Sequence, residues 1–158
     1  MKQKKKSDIP IHHHVARYCN TQLVDRDPET LVFRGIFPQA FALRENDRGY
    51  LSVSWFEKFA GGNNSKLKGV IGALRGYMKE VRPKAAIAVL NVGFIVNTGT
   101  RLGHPIRVRD KTSKSKPQYA GIEGMPLNNS DGELLEILSS VACIHKREVA
   151  EILASPDD

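Results

Sequence analysis

Three consecutive histidines, His12, His13 and His14, offer imidazoles that can give or take a proton near neutral pH. On an extended chain His12 and His14 share one side and His13 takes the other. Cys19 follows, and Cys143-Ile144-His145 lies near the other end, but no spacing among them matches a metal site. No metal is therefore expected, and the sequence names no cofactor. The triplet lies in an apolar setting, Ile9 to Val15, and reads as native. His104, between Gly103 and Pro105, reads as a turn residue. Ser52 and Ser54 flank Val53 and share one side of a strand, yet neither sits in the G-x-S-x-G of a nucleophilic serine. Arg34, Arg44 and Arg48 suit a phosphate or carboxylate pocket, although Glu45 and Asp47 account for Arg44 and Arg48 equally well. Gly61-Gly62 before a helix is a potential anion nest. The glycine-rich phosphate loop of nucleotide triphosphatases is missing, and Asp110-Lys111 lacks the E-x-K of a metal-dependent nuclease.

Charge supplies the second kind of chemistry. The chain of 158 residues carries 24 Lys and Arg against 17 Asp and Glu, a net +7. Residues 127–158 hold two basic and seven acidic side chains, so the rest of the chain stands at +12. Within that basic body, residues 66–84 and 101–117 each hold six cations against one carboxylate. Lys66, Lys68, Arg75, Lys79, Arg82, Arg107, Arg109, Lys111, Lys114 and Lys116 are thus candidate contacts to the phosphates of DNA or RNA. Tyr77 and Tyr119 are candidate aromatics for base stacking, with Tyr119 expected to be exposed; Phe94 and Trp55 are expected in the core. The acidic C-terminal helices would either dock a protein partner or cover part of this basic surface. No apolar run approaches the roughly 18 residues of a membrane span, no apolar stretch follows the basic start, and two cysteines suit a reduced, cytoplasmic setting.

The elements that must position these groups follow from periodicity. Residues 1–8 read as a basic tail and 9–158 as a single domain. Short strands are predicted over His13 to Cys19, Tyr50 to Val53, Ala85 to Leu90, Gly93 to Asn97 and Pro105 to Arg109. Helix and strand compete over residues 27–33. Ser54 with Glu57 predicts a capping box and a short helix to Phe59. Apolar residues at Leu67, Val70, Ile71, Leu74, Tyr77, Met78 and Val81 predict a central amphipathic helix from Lys66, capped by Ser65 and closed by Pro83. Ser130 with Glu133 predicts a helix to Cys143, and a last helix covers Arg147 to Leu153. Strands and helices interleave without a βαβ rhythm, so the fold class is α+β with a mostly antiparallel sheet.

Three segments, His13-His14-Val15-Ala16-Arg17-Tyr18, Ala40-Phe41-Ala42-Leu43-Arg44 and Leu51-Ser52-Val53-Ser54-Trp55, followed by Ala120-Gly121-Ile122, resemble in order a group of short uncharacterised bacterial proteins. The resemblance spans about residues 12–125 and implies a bacterial origin and one domain; the group brings no activity with it. It implies a histidine where this chain has Tyr119. A looser likeness, a strand histidine followed by Ser-x-Ser, is to ADP-ribosyltransferase and RNA phosphotransferase folds, which hold a nucleotide between such strands. Two functions follow as expectations, beside a protein-interaction module built on the acidic C-terminal helices. One is a basic nucleic-acid-associated accessory protein, as in a mobile-element or defence operon. The alternative is an enzyme acting on a nucleotide or nucleic-acid end, with His14, Arg17, Arg44, Ser52 and Tyr119 around its pocket.

Overall fold

Segments with alternating or continuous small and β-branched residues pair across long stretches of the chain. The computed structural model describes residues 6–140 and 142–158. In chain order the strands are β1 (His14–Cys19), β2 (Val24–Arg26), β3 (Phe33–Ile36), β4 (Tyr50–Trp55), β5 (Ala86–Asn91), β6 (Arg107–Asp110), β7 (Tyr119–Glu123) and β8 (Cys143–Glu148). The helices are α1 (Asn63–Tyr77), α2 (Val92–Arg101), α3 (Gly132–Ser139) and α4 (Val149–Ala154). Six strands form one antiparallel sheet in the order β6-β7-β4-β1-β5-β8, and β2 and β3 form a separate hairpin. The fold is α+β. Among the described residues, no helix is long and apolar enough to cross a membrane.

Strand parity divides the side chains between two layers. Val15, Leu51, Val53, Ala86, Ala88, Leu90, Val108 and Ile122 pack on one face, against Ile95 of α2, Leu134, Leu135 and Leu138 of α3, and Phe41. The other face buries Ala16, Ile87 and Val89 under Leu67, Val70, Ile71 and Leu74 of α1 and Val149 and Ile152 of α4. β5 is buried on both sides, which explains its unbroken apolar run. On the α1 side, β4 and β7 present instead Tyr50, Ser52, Ser54, Tyr119 and Gly121, in the registered pairs Ser52↔Gly121 and Ser54↔Tyr119. The end of α1 reaches this half at Ser54, which is buried, and leaves Ser52 exposed.

Several local expectations are corrected. Residues 93–97 lie in α2, not in a strand: the Asn91 side chain accepts from the Phe94 N–H at 2.9 Å and caps a helix that buries Val92, Ile95, Thr98 and Gly99. Phe94 is exposed on that helix rather than core. Ser54 caps nothing; β4 continues to Trp55, and only a single 3-10 turn, Phe56–Lys58, follows. α1 starts before Ser65 and ends at Tyr77, short of Val81. Its first turn is closed from far away, by the Asp158 carboxylate, which accepts from the N–H groups of Asn64 (3.2 Å) and Ser65 (2.9 Å). The nest at Gly61-Gly62 therefore holds the chain's own carboxylate, and a Cβ on Gly62 would lie 2.6 Å from Asp158 Cγ. Asp131, not Ser130, caps α3, accepting from the Leu134 N–H at 3.1 Å. Cys143 to Glu148 pairs with β5 as β8, so the expected last helix shrinks to α4. Residues 27–30 form a turn before β3. Of the basic tail, residues 1–5 lie outside the described residues, whereas Ser7 and Asp8 lie along β6.

Candidate functional site

β1 and β4 pair at only two positions, Val15↔Trp55 and Ala16↔Ser54, and then separate. β1 goes on pairing with β5 through Cys19, and β4 with β7 through Tyr50. Arg17 bridges the resulting split. Its Nε donates to the Ala40 carbonyl at 2.7 Å and its Nη1 to the Ser52 carbonyl at 2.8 Å. Burial draws this guanidinium below its ordinary pKa, although it stays a cation at neutral pH. Nη2 has no hydrogen-bond partner among the described residues. Arg17 lines two clefts, one of about 730 Å³ that also includes Arg44, Asp47, Lys79 and Arg82, and one of about 310 Å³ under the end of α1.

Beside the split, the sheet face that carries Ser52 meets the 111–118 loop. Ser52 Oγ and the Tyr119 hydroxyl lie 2.6 Å apart. The rings of Tyr50 and Tyr77 approach Tyr119 edge-on, with centroids 6.2 and 6.3 Å away. Lys111 Nζ stands 4.4 Å above the Tyr50 ring, and Lys116 Nζ stands 4.6 and 4.7 Å from the Tyr77 and Tyr119 rings. Tyr50 lies close over the sheet because Gly121 beneath it has no side chain; a Cβ there would come within 2.6 Å of Tyr50 Cδ2. Two further clefts, of about 510 and 370 Å³, continue the groove, the second between Gly69, Gly72 and Gly76 of α1 and residues 115–118.

The nearby Tyr119 hydroxyl, together with burial, pushes the Tyr50 phenol up to about 12, and burial raises Tyr77. Both phenols therefore remain protonated donors at neutral pH. No histidine lines any of the four clefts. The rim carboxylate Asp47 accepts from the Arg44 N–H at 2.8 Å.

Of the five residues expected around a pocket, Arg17 shares one cleft with Ser52 and Tyr119 and another with Arg44, and His14 lines neither. His14 sits at the other end of β1, clasped by Glu57, whose two oxygens take its backbone N–H (2.6 Å) and its Nδ1 (2.8 Å). Burial pushes the Glu57 carboxyl up, but the hydrogen bonds from His14 outweigh it and hold the group below its ordinary value. The basic residues divide as well. Lys111 and Lys116 line the groove, and Lys79 and Arg82 stand at its far end. Lys114 lies on the exposed loop and Arg75 on the exposed side of α1. Lys66 stands over Phe56, and Lys68 pairs with Asp157 at 2.6 Å. Arg107 pairs with Asp8, and Arg109 faces Asp8 and Glu123. The acidic end thus meets the basic body at two ion pairs, Asp157 with Lys68 and Glu148 with Arg26. Tyr119 is half-buried rather than exposed, and Trp55 is also half-buried, donating to His13 Nδ1 at 2.9 Å. Sequence reasoning missed Tyr50, although the period of two that placed Ser52 and Ser54 on one side extends to it. It also missed the glycine row of α1. Comparisons of this chain with protein-family models, curated proteins and solved structures give no match.

Proposed function

We propose that this protein binds a single strand of nucleic acid in the groove between α1 and the 111–118 loop. The observation that carries the reading is the alternation, along the groove, of the tyrosine rings of β4, β7 and the end of α1 with lysine ammonium groups resting on them. A base has a π face and a phosphate has a charge. On binding, the rings would pass from lysine to base and the lysines from ring to phosphate. The split at Arg17 adds a third cation beside the same path. A duplex offers its phosphates outside and its bases inside, so the tyrosines favour an unpaired strand.

Fluorescence anisotropy with labelled single-stranded and duplex oligonucleotides, between about 50 and 200 mM salt, tests this. Phosphate contacts from Arg48 and Lys116 predict a slope of log K against log[salt] of about −1.4, and Lys116→Gln should reduce its magnitude by about 0.7. Tyr119→Ala should weaken binding by about 1–3 kcal/mol. Absence of binding at the low-salt end, or equal binding of duplex with Tyr119→Ala neutral, refutes the proposal.

A further inference from the structure

We infer that the groove contains a two-compartment seat for one nucleoside monophosphate unit, with its ring on one side of the Ser52–Tyr119 hydroxyl pair and its phosphate on the other. The inference rests on the nucleic-acid reading above and names the unit that the groove recognises.

Two clefts share a wall made of Ser52, Lys116 and Tyr119. The smaller, about 310 Å³, is bounded by Ala16 on the sheet and by Leu74, Tyr77 and Met78 at the end of α1. That volume is at the lower end for small-molecule pockets, which run from roughly 300 to 1,000 Å³, and its carbon-rich walls suit a flat ring. Arg17 also lines this cleft, beside its bond to the Ser52 carbonyl, and its Nη2 has no hydrogen-bond partner among the described residues. The larger cleft, about 510 Å³, has no aliphatic side chain in its lining. It offers Arg48, Lys111 and Lys116 against the rim carboxylate Asp47, with Ser113 and Ser115 as hydroxyl donors. Lys111 already neutralises Glu123 at 2.6 Å, so Arg48 and Lys116 are the cations most available to an anion.

Between the two stands the hydroxyl pair. One hydrogen is shared along the 2.6 Å contact, which leaves one hydrogen and several lone pairs for a ligand. Apolar cleft, hydroxyl pair and cationic cleft succeed one another in the order base, sugar, phosphate. A bare phosphate would use only the last compartment and a nucleoside only the first two.

Calorimetric titration of the full chain with adenosine and uridine 5′-monophosphates, the matching nucleosides and inorganic phosphate tests the seat. At least one nucleotide should bind about tenfold tighter than both its nucleoside and inorganic phosphate. Met78→Trp, at a half-exposed position, should fill the ring compartment and lower nucleotide affinity about tenfold while leaving phosphate binding unchanged. Arg48→Gln, at an exposed position, should lower nucleotide and phosphate affinity together and spare the nucleoside. Thermal unfolding of each variant establishes that it is folded. A nucleotide that binds no tighter than phosphate, or a folded Met78→Trp variant that binds it normally, overturns the seat. An oligonucleotide arm separates the two readings. If oligonucleotides bind and no mononucleotide does, the seat falls and the groove stands; if neither binds, both fall. Competition by the mononucleotide against the oligonucleotide supports a seat within the strand's path, and binding without competition overturns that placement. Tighter binding of the oligonucleotide identifies the unit as part of a strand, and tighter binding of the mononucleotide identifies it as a free nucleotide.

Discussion

Arg17→Met tests whether one guanidinium holds the split sheet together. Methionine keeps most of the aliphatic stem and removes both hydrogen bonds. The Ala40 carbonyl belongs to a fully buried residue, so losing its donor leaves it unpaired at a cost of about 1–3 kcal/mol. The Ser52 carbonyl faces the groove, where water replaces the donor, and its loss costs about 0.5–1.5 kcal/mol. Removing a desolvated charge returns part of this. A net loss of about 2–3 kcal/mol follows, or roughly 4–12 °C in Tm for a domain of this size. Urea denaturation monitored by far-UV circular dichroism should show an earlier midpoint with an unchanged slope. Arg17→Lys should fall between the two, because an ammonium lacks the fork that spans two carbonyls. A loss below about 1 kcal/mol for Arg17→Met, or full stability in Arg17→Lys, refutes the bridging argument.

Three shorter predictions concern other contacts. Glu57 has a folded pKa below its ordinary 4.5, so its contribution is present above that value and is lost as pH falls through the folded one. Stability measured across that acid range should fall more steeply for the natural chain than for Glu57→Gln; identical acid limbs would mean the His14 clasp contributes nothing. Gly121→Ala should push Tyr50 and Lys111 off the sheet, since its Cβ would come within 2.6 and 3.2 Å of their atoms. Oligonucleotide affinity should drop several-fold while stability stays within about 1 kcal/mol, and unaltered affinity would remove Tyr50 from the site. Asp158, whose carboxyl is lowered by the Ser65 and Asn64 N–H groups, should on replacement by Asn speed amide hydrogen exchange in the first turn of α1. Unchanged exchange at Asn64 and Ser65 would show that the carboxylate is not their cap.

The parts legible in the sequence are those whose partners lie nearby or whose pattern is long. α1 declared itself through Leu67, Val70, Ile71 and Leu74, all of which are buried. β1, β4 and β5 followed from period and β-branching. α2 was misread because Val92, Phe94, Ile95 and Val96 have strand preferences that its Asn91 cap and its packing on the sheet override. β8 was not foreseen, because residues 144–146 lie between two expected helices and only pairing with the open edge of β5 makes residues 143–148 a strand. The same limit applied to the site. Alternation placed Ser52 and Ser54 on one side, but bringing Tyr119 opposite them needed the β4–β7 register across more than sixty residues. His14 was grouped with Arg17 because both fall in the segments that carry the resemblance, whereas His14 opens β1 and is held by Glu57, away from the clefts.

The glycines of α1 have a consequence for how the protein is assembled. Gly69, Gly72 and Gly76 together weaken the helix by about 3 kcal/mol relative to alanine. Methyl groups at Gly72 and Gly76 would meet nothing within 4 Å, so neighbouring protein atoms do not require their absence. A helix so weak in isolation forms only when its buried face finds the sheet and its first turn finds Asp158, more than ninety residues further along. The wall of the groove therefore depends on contacts made far along the chain, and loosening Asp158 would loosen the first turn of α1 while leaving the strands of the floor in place.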